Sequence, residues 1–511
     1  MIGADVGRTP NILILMADQL TAGALPAYGN PVARTPNIDK LAEHGAVFER
    51  AYCNSPLCAP SRGAFMSGRL PSATGIYDNA AEFPSQLPTF AHYLRHAGYR
   101  TILSGKMHFC GPDQLHGFEE RLTTDIYPAD YGWTPDWTRP DMRPDWYHSM
   151  DSVVQAGPCA RTNQIDFDEE VVFAARRRLF DIARGSDPRP FCMVVSLTHP
   201  HDPFTITEPY WSRYSDAEID PPRVEMPVDC LDPHSLRLRH VCGIDRQPVT
   251  ADQVRAARRA YYGAVSYFDD QVGAMLTTLD AAGLTDDTCI VVVADHGEML
   301  GERGLWFKMS FFEPACRVPL IVHAPGRFAA RRVPHSVSLV DVLPTLVDLA
   351  SDGGAPEYAT PLDGRSLLPH LEGRGGHDEA FGEYLGEGAV APIVMIRRGR
   401  HKFIRSPGDP DQLYDLASDP DELRNLVAET PDPLLAAFGA EAERRWSLAT
   451  LHAEVLASQR RRRLVAEALR MGVSTAWDYQ PVRDAREQYI RSHMKLEDLE
   501  AMARLPRPLA S

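Results

Sequence analysis

No two cysteines in this 511-residue chain form a CxxC pair, and their number is odd: nine, at positions 53, 58, 110, 159, 192, 230, 242, 289 and 316. That argues against a disulfide framework and against a structural zinc centre, and most of these thiols read as small buried apolar side chains. Basic charge is short too. Lys and Arg number 53 against 69 Asp and Glu, a net charge of −16, so the averaged surface repels phosphate backbones and anionic lipid and makes nucleic acid and membrane poor partners. No apolar run approaches the roughly 20 residues that span a bilayer. The short run NILILMA at 11–17 lacks the basic start and cleavage site of a leader and is expected as a strand of a cytoplasmic protein. Internal repeats and low-complexity segments are missing as well.

Apolar residues make up 44% of the chain, enough for one large domain and a smaller one. Strand-like runs at 12–17, 101–104, 191–197, 289–294 and 319–323 alternate with helical patterns. In TPNIDKLAEHG, Thr35 is expected as a helix cap and Pro36 as the first helical residue. A longer helix is expected over 252–284, where Val254, Ala257, Tyr261, Ala264, Phe268, Val272, Met275 and Leu279 recur at three- and four-residue spacing. This is an α/β pattern, and ligands of such sheets gather beyond the carboxyl ends of the strands. There the chain places Asp18, then Lys106 and His108, then His199 and His201, then Asp295 and His296. A Gly- and Pro-rich passage at 353–376 divides an expected catalytic domain, 1–375, from a C-terminal α+β subdomain, 376–475. In the latter, VAPIVMIRRGRHKFI reads as paired strands about an RRGR turn and the basic run 460–463 as a solvated helix face. An extended tail, 476–511, is expected to pack on another subunit.

Asp18, Asp295 and His296 suit a divalent cation: carboxylates favour hard ions such as Ca²⁺ and Mg²⁺, and an imidazole widens the choice to Mn²⁺ or Zn²⁺. Cys58, in LCAPSRGAFMSGR, sits among Ala59, Pro60, Ser61 and Arg62 rather than in an apolar run. A helix N-terminus there, with Arg62 one turn on, would lower its pKa and make the thiolate a nucleophile. Trp133, Trp137 and Trp146, with Tyr147 and His148 adjacent, are either a loop-anchoring cluster or a cage for a quaternary ammonium ion.

C-x-P-S-R followed by Gly, at 58–63, resembles the signature of the type I sulfatases of the alkaline phosphatase superfamily. The elements Gly105-Lys-Met-His108, THPHDPF, ADHGEMLGERGLWFK and LYDLASDPDELRNL are similar to that family's other motifs. The resemblance implies an alkaline-phosphatase-like mixed central sheet flanked by helices. It further implies that Cys58 is matured to formylglycine by a formylglycine-generating or anaerobic maturase, and that the hydrated aldehyde attacks the sulfur of a sulfate ester. Asp18, Cys58, Asp295 and His296 would then hold a divalent cation, Ca²⁺ foremost, with Mn²⁺ or Mg²⁺ as alternatives. Arg62 and Lys106 would hold the diol, Lys106 and Lys308 would neutralise sulfate oxygens, His201 and Lys308 would assist the leaving oxygen, and His108 would help regenerate the aldehyde. His199 reads as a structural hydrogen-bonding partner.

Two departures stand out. Asp18-Gln19 replaces the usual Asp pair, leaving Gln19 as a further oxygen donor, and Asp295-His296 replaces Asp-Asn. Both are shared with the choline sulfatases, a branch of that family, as are YDNAAEFP, GPDQLHGFEERLTTDIYPADYGWTPD and WDYQPVRDAREQYIRSHM. That likeness implies choline O-sulfate as substrate, with Asn79 near the sulfate and Trp133, His148 and Glu387 at the ammonium. It also implies a homo-oligomer, dimer or tetramer, in which Glu497, an Asp-to-Glu departure, reaches a neighbour's site. A phosphonate monoester or phosphodiester hydrolase of the same superfamily, and a noncatalytic binder of zwitterions, remain the alternatives.

Overall fold

The run Asn11–Ala17 is buried over six of its seven positions and forms the middle of a nine-stranded mixed sheet. The computed structural model describes residues 9–127, 129–351, 357–428, 433–474, 476–482 and 494–506. Part of the Gly- and Pro-rich passage, 352–356, and much of the expected tail, 483–493 and 507–511, lie outside the described residues.

Four strands at the centre run parallel in the order Thr288–Ala294, Asn11–Ala17, Phe191–Ser196, Arg100–Gly105. Register decides what their ends deliver. Ala17 pairs with Ala294, Met16 with Ser196, and Gly105 with Ser196. Asp18, Asp295, Lys106 and the 197–202 loop therefore emerge in one row. Gly105 has φ of +106°, and a Cβ there would lie 2.0 Å from the Ser196 carbonyl oxygen; only glycine lets the chain turn Lys106 in at that point.

Towards one edge follow Leu320–His323, antiparallel to both its neighbours, then Ala46–Tyr52 and Arg331–Ser338. The last two escape a search for apolar runs. Glu49 and Arg50 interrupt the first, and the second opens on two arginines and bends at a bulge between Val333 and Ser336.

Helix Ala251–Ala281 begins with a capping box, Thr250 and Gln253, and buries the periodic face that includes Tyr261, Phe268 and Met275. It also corrects one expectation. Pro36 does open the helix Pro36–His44, but Thr35 makes no cap bond to its backbone. Buried Asp269 does so from the long helix, its Oδ1 accepting from Ile38 N at 2.8 Å and its Oδ2 from Asn37 N at 3.2 Å. Two elements far apart in sequence are thereby locked together.

Four antiparallel strands, Glu379–Tyr384, Ile393–Arg398, His401–Ser406 and Asp409–Asp415, form a separate sheet with the RRGR turn between the second and third. Its apolar face packs on the helix Pro433–Arg445 through Ile396, Phe403, Phe438 and Trp446. A second helix, Leu448–Leu469, follows. Here the solvated reading of 460–463 is overturned in part: Arg460 and Arg461 are exposed, but Arg462 is 7% exposed and pairs with fully buried Asp78, and Arg463 pairs with Asp136. Arg462 shares the inward stripe with Val455, Gln459 and Ala466, so helical geometry carries its charge inside. Among the described residues no helix is long and apolar enough to cross a membrane.

Replacing Asp269 with Ala leaves the buried Ile38 amide and the half-buried Asn37 amide of the helix Pro36–His44 without their acceptors, an expected loss of about 1–3 kcal/mol. The check is a lowered denaturation midpoint.

Candidate active site

At the row of strand ends, one oxygen each of Asp18 and Asp295, His296 Nε2 and Cys58 Sγ lie within 4.8 Å of one another, all four residues buried. Cys58 is the first residue of the wholly buried helix Cys58–Ser67. Its Sγ is 3.2 Å from His296 Nε2. Burial pushes the thiol up, but Lys106, Lys308 and His296 together bring it well below its ordinary range. His296 Nδ1 donates to the Gly297 carbonyl at 3.0 Å, so Nε2 is the nitrogen turned to the cluster; burial lowers the ring, but Asp295 and Cys58 together raise it above its ordinary pKa.

The donor set fits a divalent cation. Two carboxylates and an imidazole nitrogen converge, and the carbonyl that holds Nδ1 leaves Nε2 as the nitrogen a cation would take in place of a proton. Around them stand fixed cations. Arg62 donates from Nε to Asp295 Oδ2 at 2.8 Å and through Nη1 to the Lys106 carbonyl and Ser196 Oγ. Lys106 donates to Asp18 and stands 4.3 Å from the centre of the Tyr127 ring. Burial raises the Asp18 carboxyl, yet Lys106, His201 and Arg62 hold it at about 2.

Opposite lies a second group. Lys308 Nζ donates to Gln19 Oε1 at 2.5 Å and to His201 Nε2 at 2.7 Å, while His201 Nδ1 donates to the Asp202 carbonyl at 2.7 Å. Gln19, at φ +65°, has its amide fully engaged: Nε2 donates to Asp202 and Glu298. Its expected availability as a further oxygen donor is therefore not what the structure shows, since Lys308 occupies that oxygen. Glu298, pushed up to about 7 by burial, accepts from the Leu300 and Phe307 amides as well and so pins the loop carrying Lys308. His199 lies apart, its Nδ1 2.6 Å from Asp168. His108 donates from Nε2 to the Asn79 carbonyl at 3.0 Å, leaving Nδ1 buried without a hydrogen-bond partner.

A cavity of about 360 Å³, in the small-ligand range, opens above these groups and joins Cys58, His108, His201 and Lys308 to Asn79, Trp133, His148 and Glu387. Asn79 Oδ1 accepts from the Ala59 amide at 3.0 Å, at the start of the cysteine helix. Trp133 and Trp146 stack with ring centres 6.3 Å apart. Trp137 turns elsewhere, donating from Nε1 to the Gly386 carbonyl at 2.9 Å beside Glu387. Glu387 is 4% exposed, its Oε2 has no partner, and burial lifts it to about 8. His148 is brought down to about 4, by burial first and Lys308 second, and is neutral near pH 7. Glu497 is exposed on the helix Leu496–Ala503 and does not line this cavity. A cavity of similar size, about 370 Å³, lies on the far side of Glu298 and contains none of the clustered metal-binding residues.

Sequence reading missed Tyr127, Asp202, Glu298 and also Asp125, which accepts from the Met107 and His108 amides at 2.9 Å. Asp202 and Glu298 stood inside the motifs THPHDPF and ADHGEML; their neighbours' chemistry drew the attention.

The sulfatase family model matches residues 10–352. The chain belongs to the sulfatase family. Its fold is alkaline-phosphatase-like. A second model, described as the C terminus of the choline sulfatase enzyme, matches 453–505. Among curated relatives, a choline-sulfatase of Rhizobium meliloti (strain 1021) is 47% identical over 98% of this chain and 99% of its own. Arylsulfatase K of Danio rerio is 29% identical over 83% and 81%. A solved phosphonate monoester hydrolase of Agrobacterium radiobacter superposes with a TM-score of 0.68 at 26% identity, covering 88% of this chain and 96% of that one. As the family implies, the protein is a sulfuric ester hydrolase.

Glu298→Gln sets an amide nitrogen either against that of Gln19 or, flipped, against the Leu300 and Phe307 amides that hold the Lys308 loop. Turnover is expected to fall about tenfold or more, matching about 1–3 kcal/mol of lost positioning, with a smaller change in KM; steady-state kinetics on any accepted sulfate ester measures it.

Proposed function

We propose that the protein hydrolyses choline O-sulfate to choline and sulfate. The observation that carries this reading is the polarity of a single cavity. One end is lined by Lys308, His201 and Cys58, with Cys58 in turn touching the buried cluster that Lys106 and Arg62 hold, and the other presents stacked Trp133 and Trp146 with Glu387, whose Oε2 has no partner. A sulfate joined to an onium group matches both ends, since aromatic faces hold a quaternary ammonium by about 0.5–2 kcal/mol each and a carboxylate adds to that. The Rhizobium relative, 47% identical, is called choline-sulfatase and supports the same reading.

Asp18, Asp295, His296 and the matured residue 58 would hold a divalent cation, Ca²⁺ foremost with Mn²⁺ or Mg²⁺ as alternatives. When bound, the cation supplies positive charge to the sulfate oxygens, and formylglycine, made from Cys58 by a separate maturase, supplies a hydrate oxygen as nucleophile. The chain's own residues do the rest. Arg62 and Lys106 fix the helix start that presents position 58. Lys106 and Lys308 screen sulfate oxygens so that an oxygen nucleophile can approach in line. Lys308, paired with the His201 Nε2 lone pair, holds a proton where the leaving choline oxygen needs one. His108, with Nδ1 free, accepts the proton when the aldehyde is regenerated. Asn79 borders the sulfate end, and Trp133, His148 and Glu387 border the onium end.

We further propose a cytoplasmic homo-oligomer, dimer or tetramer, in which Glu497 reaches a neighbour's pocket. Support comes from the exposed apolar side chains of the C-terminal region, Met471 at 81%, Val473 at 95% and Val482 at 93%, an area that would gain from burial. All nine cysteines are free, which suits a reducing compartment.

Protein coexpressed with a maturase should show a peptide about 18 Da lighter across Cys58. It should also prefer choline O-sulfate over 4-nitrophenyl sulfate and over an aryl phosphonate monoester in kcat/KM. Preference for the phosphonate would favour the activity named for the Agrobacterium structure.

Glu387 gives a second check. With its carboxyl near pKa 8 in the free protein, it is mostly protonated at pH 7, and a cation seated beside it favours the ionised form. Choline binding at pH 7 is therefore expected to release a proton, and to release almost none at pH 9, where the group is already ionised. Calorimetry in buffers of different ionisation enthalpy measures the proton, and Glu387→Gln abolishes it.

A further inference from the structure

The choline reading leaves the buried arginine of the C-terminal helix without a task. Arg462 lies on the helix Leu448–Leu469, yet its guanidinium reaches two loops of the catalytic unit at once. Nη1 and Nη2 donate to the two oxygens of Asp78 at 2.6 and 2.7 Å, and Nη1 also donates to Thr134 Oγ1 at 3.2 Å. Nε is held by Ser458 Oγ one turn back on the same helix. Asp78 precedes Asn79, and Thr134 follows Trp133; both neighbours line the cavity.

Other residues of the helix support the same wall. Gln459 Oε1 accepts from the Trp137 amide at 3.0 Å, and Trp137 in turn donates to the Gly386 carbonyl next to Glu387. Arg463 pairs with Asp136. Among the described residues the helix makes no hydrogen bond to Lys106, Lys308, His201 or Asp295. A buried ion pair is weak support for stability, because an apolar pair of the same volume often serves as well. What a guanidinium adds is a rigid fork able to fix two loops at a set angle.

We infer that Arg462 is a specificity-positioning residue: from the C-terminal helix it clamps the Thr134 and Asp78 loops, and through the Thr134 arm it sets the aromatic wall facing the onium end of the substrate. The inference rests on the choline O-sulfate reading for its substrate and on the geometry for the clamp. It makes the C-terminal region part of substrate selection within a single chain, apart from any role in assembly. Severing the Thr134 arm loosens the wall while leaving the sulfate end and its proton donor in place.

The test uses full-length matured protein carrying Thr134→Val, which removes one arm together with the hydroxyl's own bond to the Tyr131 carbonyl and keeps the Asp78 pair, Thr134→Ser, which keeps both bonds, and Arg462→Met, which removes both arms and leaves the Tyr131 bond in place. For Thr134→Val, KM for choline O-sulfate is expected to rise about fivefold or more. Its kcat/KM for 4-nitrophenyl sulfate, which has no ammonium group, should stay within about twofold of the parent. Arg462→Met should raise the choline O-sulfate KM at least as far, and adding Thr134→Val to it should change that KM no further. A Thr134→Val protein that loses activity on both substrates equally, or on neither, overturns the inference. If the parent protein shows no preference for choline O-sulfate, the substrate reading has failed by itself. Amide exchange then decides the clamp: faster exchange at 131–137 in Thr134→Val with 58–67 unchanged sustains it, and unchanged exchange at 131–137 refutes it.

Discussion

Two buried carboxylates stand side by side in this protein because Ala17 and Ala294 pair in adjacent parallel strands, and every other polar group of the site answers that constraint. Charges of one sign cannot be taken out of water together unless opposite charge accompanies them. Lys106 and Arg62 do so from neighbouring elements, each fully buried and each bonded to one of the two acids. Lys106, which makes Asp18 tolerable, also holds down the Cys58 thiol together with Lys308 and His296. The electrostatics of catalysis are thus largely the electrostatics of burial, arranged before any substrate arrives.

A second arrangement follows from one amide. Gln19 follows Asp18 directly, and its side chain is shared by Lys308, Asp202 and Glu298. The strand that supplies a metal-binding carboxylate therefore also sets the ammonium on the opposite side. Histidine orientations complete the pattern: the carbonyls of Gly297, Asp202 and Asn79 each hold one ring nitrogen, which turns the other nitrogen of His296 to Cys58 and that of His201 to Lys308.

The outer cavity is built differently. It depends on loops, Trp133 and His148 among them, and on Glu387 from the stretch after the small sheet's first strand. Loops need bracing to present aromatic rings at fixed angles, and here the brace comes from the helix Leu448–Leu469. The clustered carboxylates sit directly at the ends of the central strands, whereas Trp133, His148 and Glu387 sit on stretches outside the large sheet. Such a division lets specificity change without disturbing the reaction centre.

Much of this was legible in the residues alone. Apolar runs ending near Asp18, Lys106 and Asp295 read correctly as buried strands of an α/β sheet, because a strand buried on both faces must be apolar along its length and polar side chains begin where it stops. The cysteine motif carried the family in the order of its letters. Edge strands with interior charge, such as Ala46–Tyr52, could not be read that way. Nor could the fate of individual polar groups: that Asp269 rather than Thr35 caps a helix, that Trp137 leaves the aromatic cluster, that Gln19 serves Lys308, and that Arg462 is buried rather than solvated. Local order in a chain determines which residue types recur at which spacing, but a hydrogen bond or ion pair between residues hundreds of positions apart exists only once packing has brought them together. Partners of buried polar groups were therefore decided by the tertiary structure, since desolvation obliges each group to find one wherever the fold places it.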